Sequence, residues 1–349
     1  WRDEIENGRI GPDLNIIAAQ LATYDFAQGI WVDMTAERNV VRSDEDVRRT
    51  VKSLLDAGFD GLKASSFLSR PAYQAASKET REHKARFVGH IPVAATLNDL
   101  YASNQSEVAH VEEFVKALNR EFGYYNSKNT DQFLTFVRER SADVAENVRK
   151  QNITVTTTLA LVDSFPSQML DLENTLKKVE LDYVNPGIAS GQAMGWLDEK
   201  NRYRIPEAYR TGDWKDRYSR YWSTYGEAQH IIFKAFLDAG VTVFAGTDAN
   251  VPVMVPGFSL HTELEAMQSL GMPPEKVLAS ATYLPAEWLK AKSGRVKEGY
   301  DGNLLLLTEN PLNDIRATRS IDTVILNGHL LGRPDLDQLL ANVKAANAN

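Results

Sequence analysis

The chain has 349 residues, with 39 Lys and Arg against 47 Asp and Glu, a formal net charge of −8. A composition of 43% hydrophobic and 25% charged residues suits a globular enzyme and excludes disorder as the main state. The acidic balance argues against a nucleic-acid or anionic-membrane binder, and no apolar run reaches the ~18 residues a spanning helix needs. There is no cysteine, hence no disulfide framework, thiol nucleophile or thiolate metal site. Any metal must be held by His, carboxylate or a modified side chain. The compartment stays open, since a cysteine-free chain suits cytosol, periplasm and secretion alike. The segment opening at Trp1 has no basic stretch followed by an apolar core, and an upstream segment is expected.

In chain order, a strand pattern recurs with a helix pattern behind it. Asn15–Leu21 is a short apolar run. Ser43–Asp56 reads as a helix, with Ser43 able to cap it and Val47, Val51, Leu54 and Leu55 forming its apolar stripe. Phe59–Ala64 follows as a strand, then helix Pro71–Lys84, strand Phe87–Ile91, a short helix near Ala95–Ala102 and strand Glu107–Val111. Helix Asn129–Lys150 leads to the β-branched run Ile153–Leu161. Residues 163–222 read as an irregular insertion rich in Asp, Tyr and Trp. Helix Thr224–Ala239 then leads to strand Val241–Ala245, which stops at Gly246-Thr247-Asp248. Apolar strands alternating with helices predict a parallel sheet covered by helices, as in an α/β barrel or a doubly wound fold.

The end of the chain differs. Helices His261–Ser269, Pro274–Ala279 and Pro285–Lys290 precede the short strands Asn303–Leu307, Thr323–Asn327 and His329–Leu331, a small β appendage. The expected division is a barrel over residues 1–292, an appendage over 293–332 and a helix or tail over 333–349.

Four polar residues stand at the carboxyl ends of strand candidates, where α/β barrels build their active sites: Lys63, His90, His110 and Asp248. The ends of successive barrel strands converge on one mouth, so residues distant in sequence can share an ion. Two imidazoles and a carboxylate are good ligands for zinc or a similar divalent metal. Each alone has a plain structural reading, an edge lysine or a satisfied histidine. The coincidence of four at one end of consecutive strands favours a site.

The segments GFDGLKAS (58–65), VGHIP (88–92), EVAHVEEF (107–114), AGVTVFAGTDAN (239–250), PGFSLHTELEAM (256–267), ASATYLPAEWL (279–289) and GYDGNLLLLTENPLNDI (299–315) resemble the amidohydrolase superfamily, in its imidazolonepropionase-like and prolidase-like branch. The resemblance implies a TIM-like (β/α)8 barrel, here strands three to eight, with a β-sandwich appendage. It implies that Lys63 is the strand-four lysine that is carboxylated and bridges metals. That chemistry requires the amine in its neutral form, which burial and nearby cations favour. It further implies that His90 and His110 are metal ligands, and that Asp248 binds metal and takes the proton of the attacking water. One or two ions, zinc foremost, are the implied cofactor, and an amide or peptide-type C–N bond is the implied target.

One feature of the family is missing. The six histidines lie at 83, 90, 110, 230, 261 and 329, and no two are spaced by two, so the family's His-x-His pair is absent. An upstream segment of roughly 70–100 residues or a second chain is expected to supply it and to complete the barrel and appendage. His261 is a candidate substrate contact. His230 reads as structural, and His83 and His329 as surface residues. The aromatic cluster Tyr203, Tyr209, Trp214, Tyr218, Tyr221 and Trp222 reads equally as a substrate entrance or as packing. No phosphate loop and no Gly-x-Ser-x-Gly elbow occurs. The rival readings are a metal-poor, non-catalytic binding relative, and the same chemistry on an ester, carbamate or phosphoester. A small-molecule or peptide-like substrate and a homo-oligomer are compatible with the chain.

Overall fold

The computed structural model describes residues 1–23, 38–189 and 207–348. Seven short parallel strands make its first layer: β1 (Leu21–Ala22), β2 (Asn39–Val40), β3 (Gly61–Ala64), β4 (Arg86–Gly89), β5 (Glu107–Ala109), β6 (Thr154–Thr156) and β7 (Val243–Phe244). They run in the order β2-β1-β3-β4 and then β5-β6-β7. The amide of Ser106 donates to Phe87 O at 2.8 Å and a bridge pairs Phe87 with Gln105, so β4 and β5 are neighbours in one wall. Lys63 is in register with Val88, and Ala109 with Thr156, so the carboxyl ends of β3 to β6 point the same way. Strand β2 had no counterpart in the sequence reading. It pairs with the outer side of β1, Leu21 against Asn39.

Helices cover this wall for the reasons the sequence suggests. Helix Asp44–Asp56 is capped by Ser43, whose side chain accepts from Asp46 N at 3.1 Å, and it buries Val47 and Val51. Helix Arg70–Glu82 is capped by Ser69 and places Pro71 in its first turn, where a missing N–H costs nothing. Both pack with Leu21, Leu62 and Phe87 into one apolar cluster. A larger cluster joins β5 to β7 with helices Glu112–Phe122, Thr130–Lys150, Leu159–Leu176 and Trp214–Ala239.

Three expectations need correction. Ile153–Leu161 is not one strand. Only Thr154–Thr156 is extended, because β7 offers two paired residues, and the chain turns at Thr158 (φ +60°) into helix Leu159–Leu176. The insertion at 163–222 is largely helical where described. That helix carries Pro166 and kinks at Asp171, and helix Trp214–Ala239 begins at Trp214 rather than Thr224. Helix Glu112–Phe122 went unread, although Phe114, Val115 and Leu118 form a buried stripe behind two acids in its first turn.

Strands β8 (Leu304–Leu307), β9 (Ile321–Leu326) and β10 (His329–Leu331) form a separate antiparallel sheet in the order β10-β9-β8. Helix Arg333–Asn347 follows it, and Lys344 reaches Asp182 at 3.0 Å.

Candidate active site

Lys63 is half-buried near the end of β3, and its aliphatic stem passes directly over Gly89, the last residue of β4. Gly89 has φ +108°, and a Cβ there would lie 2.6 Å from Lys63 Cγ and 2.7 Å from Ala64 O. The lysine therefore crosses β4 only because this residue has no side chain. Beneath it lies Glu107, buried at the start of β5. Its carboxylate bonds the Thr156 hydroxyl and accepts from Gly89 N. Burial raises the Glu107 pKa, against the pull of the Thr156 hydroxyl, the Gly89 amide and Lys63.

His90 follows β4, and its Nδ1 lies 3.0 Å from Glu113 Oε1. Glu113 is wholly buried. Burial would push its carboxyl up, but Lys116 at 2.8 Å and His90 overcome this and hold it well below the usual range. An ionised carboxylate only accepts, so His90 Nδ1 carries the proton, and in the neutral imidazole it is Nε2 that keeps the lone pair. The other carboxylate oxygen accepts from Ile91 N at 3.0 Å, fixing Glu113 itself. A carboxylate behind an imidazole in this way is the arrangement that orients metal-binding histidines.

His110 follows β5 in a left-handed conformation (φ +80°), buried, with Nδ1 3.0 Å from Thr158 Oγ1. Its ring centroid is 5.2 Å from that of His90. Burial drives its pKa down to about 4, against the pull of the Asp248 carboxylate. The imidazole is thus neutral at neutral pH, as a ligand must be. Asp248, also left-handed (φ +49°), lies exposed beyond β7, close enough for its charge to act on His110.

The structure thus brings His90 and His110 together, leaves Asp248 near enough for its charge to reach His110, and carries Lys63 across the residue before His90. Among the described residues no three His, Asp or Glu side chains form a ready metal cluster. Two imidazoles and an aspartate nonetheless fit a divalent ion such as zinc in donor chemistry, and Lys63 would join them only with its amine carboxylated. His261 goes elsewhere: its Nδ1 pairs with Thr318 Oγ1 at 2.9 Å, on the 3-10 turn Ile315–Arg319. His230 pairs with Asp163 at 2.7 Å. Of the aromatic cluster, Tyr221 stacks on Tyr125 and Trp222 meets Phe165 edge-on, which is packing, while Tyr203 lies outside the described residues. A cleft of about 810 Å³ opens at the other end of the strands, beside Asp60, His83, Arg86, Ser106 and Trp288, and neither His90 nor His110 lines it.

Glu113, Lys116 and Thr158 were not among the candidates read from the sequence. Glu113 left a trace, three residues after His110 in EVAHVEEF. Thr158 left none.

The model of the amidohydrolase family matches residues 32–331. No curated protein matches the chain. Among solved structures, 29 chains match. One is a bottromycin amidohydrolase, 18% identical with TM-score 0.69, covering 99% of this chain and 71% of its own. A Xaa-Pro dipeptidase with bound methionine in its active site is 17% identical with TM-score 0.59, covering 95% and 71%. The A. niger ochratoxinase is 17% identical with TM-score 0.60, covering 95% and 69%. These likenesses agree with the parallel wall and separate antiparallel sheet described above in giving a TIM-like barrel fold. With most of its length matched by the family's model, the chain belongs to the amidohydrolase family, a family of hydrolases that is generally metal-dependent.

Proposed function

We propose that this protein is a metal-dependent amidohydrolase that cleaves an amide or peptide-type C–N bond of a small substrate. The observation that carries the reading is the His90–His110 pair, with ring centroids 5.2 Å apart and both Nδ1 atoms already engaged by Glu113 and Thr158. Both Nε2 atoms are then left to a ligand. Lys63, His90, His110 and Asp248 would hold the ion, zinc being the best match to nitrogen and carboxylate donors without thiolates. When bound, the ion supplies Lewis acidity to the scissile carbonyl and the attacking water. Asp248, the exposed carboxylate at the mouth, accepts the proton of that water and returns it to the departing nitrogen. Neutral His110 contributes a lone pair rather than a second positive charge. Glu113 keeps His90 in the tautomer that faces the mouth. Lys63 is read as a carboxylated ligand, and His261, whose Nδ1 is engaged by Thr318, as a candidate substrate contact of lower rank.

A second pair of imidazoles is proposed to come from outside the 349 residues, on an upstream segment or a second chain, because no two of the six histidines are spaced by two. The same absence favours the rival reading of a metal-poor binding relative. The test is hydrolysis of a panel of Xaa-Pro dipeptides and N-acyl amino acids by the full-length protein, with metal content measured in parallel. Hydrolysis lost on chelation and restored by zinc is expected. Stoichiometric absence of metal together with no turnover on any amide, ester or carbamate would favour the binding relative instead.

A further inference from the structure

Helix Leu159–Leu176 starts directly behind the site, and its start is unusual. Thr158 occupies the capping position, yet its side chain makes no capping hydrogen bond. Threonine is a good cap because its hydroxyl normally accepts from an N–H of the first turn. Here the hydroxyl lies 3.0 Å from His110 Nδ1 instead. The first-turn amides are served from another element. Glu263, on helix Phe258–Ser269, accepts from Leu159 N at 2.9 Å and from Ala160 N at 2.8 Å, and it also bonds the Thr157 hydroxyl. Glu263 is completely buried, and a buried carboxylate at a helix amino terminus meets both the orphan amides and the positive end of the helix dipole.

Thr158 also adopts a left-handed conformation (φ +60°), which is strained for a β-branched residue and persists only where surroundings enforce it. The surroundings are visible. Thr157 N donates to Phe244 O and Thr158 N to Gly246 O, fixing the turn against β7, while the Glu263 carboxylate holds the amides that follow. His110, left-handed itself, is tied to the same turn by its amide, which donates to Thr156 O at 2.9 Å.

We infer that Glu263 is a positioning residue for His110: by capping helix Leu159–Leu176 from a distant helix, it leaves the Thr158 hydroxyl to orient the imidazole. A ligand role for His110 Nε2 requires the proton on Nδ1 and Thr158 Oγ1 as its acceptor. Without Glu263, the unserved amides compete for that hydroxyl. The inference rests on the reading of His110 as a metal ligand, and its test separates the two.

Glu263→Gln, Thr158→Val and the double variant are made in the full-length protein. Three quantities are read: the zinc dissociation constant, the His110 ring nitrogen signals of the metal-free protein by NMR, and the melting temperature. Either single change is expected to weaken zinc about tenfold, the usual effect of losing a partner behind a ligand. The double variant should weaken it no further than the stronger single change. Glu263→Gln should also shift His110 away from the Nδ1–H form before any metal is added. A lower melting point with zinc affinity within about twofold of the parent and unchanged His110 signals would make Glu263 a helix cap only, and would overturn the inference. Additive losses in the double variant would overturn it too. If the parent binds no zinc, the ligand reading fails, while the NMR signals still decide the Glu263–Thr158–His110 coupling. Should Glu263→Gln not fold, Glu263→Asp supplies the same readouts. Failure of both to fold makes Glu263 a purely structural residue and overturns the proposal.

Discussion

Replacing Gly89 by alanine tests the geometry of the site more directly than removing any of its polar groups. The added methyl would lie 2.6 Å from Lys63 Cγ, 2.7 Å from Ala64 O and 3.1 Å from Ala64 N, at a backbone φ of +108°. The left-handed conformation costs about 1–2 kcal/mol for any L-residue. The steric conflict adds about 1–3 kcal/mol, because two of the three neighbours are backbone atoms of the paired strand β3 and cannot swing away. Together these come to roughly 2–5 kcal/mol, a large share of a typical folding free energy of about 5–15 kcal/mol. In a chain of this size about 2 °C of melting temperature is expected per kcal/mol, so the midpoint should fall by about 4–10 °C. Gly123 is the control. It has φ +91° with nothing within 4 Å of its missing Cβ, so Gly123→Ala should show the conformational cost alone, about 2–4 °C. The two differ further in the metal. In Gly89→Ala the least costly relief is displacement of the Lys63 stem, so zinc content should drop, while Gly123→Ala keeps it. Calorimetry and elemental analysis of both variants read the outcome. Equal melting shifts and equal zinc content would refute the claim that Gly89 is there to let Lys63 pass.

Asp248→Asn should lower kcat at least about a hundredfold with KM little changed, and activity within about threefold of the parent, in a variant of unchanged melting point, would remove Asp248 from the proton transfer. Glu113→Gln can present its amide nitrogen to His90 and lose the fixed tautomer; zinc affinity should fall about tenfold or more, measured by competition with a chelator. The pH dependence of stability carries a signature of Glu263, which burial lifts from 4.5 to about 7. Below pH ~4.5 both folded and unfolded states hold the proton and its contribution is intact; above that the unfolded chain ionises first, so stability falls as pH rises through about 7, by at most ~3 kcal/mol. Denaturant titrations of the parent and Glu263→Gln between pH 4.5 and 8 should therefore show a slope in the parent that the variant lacks, and parallel curves would contradict the assignment.

Much of the barrel was legible because its cues are local. Apolar periodicity and a capping serine located helix Asp44–Asp56, and the apolar runs ending in Lys63, His90, His110 and Asp248 placed those residues at strand ends, where alternating strand and helix converge them. What the sequence by itself could not determine is who holds each of these residues. His90 depends on Glu113, His110 on Thr158, and Thr158 on Glu263, the last two more than a hundred positions apart along the chain. Such partners are chosen by the packing of helices against the strand ends, and no spacing rule encodes it. The same holds for the end of β6. The run Ile153–Leu161 is as β-branched as a strand, but β7 pairs with only two of its residues and the Glu263 carboxylate caps a helix from Leu159 onward. Local propensity offers strand or helix there, and a hydrogen-bond partner from a distant helix decides.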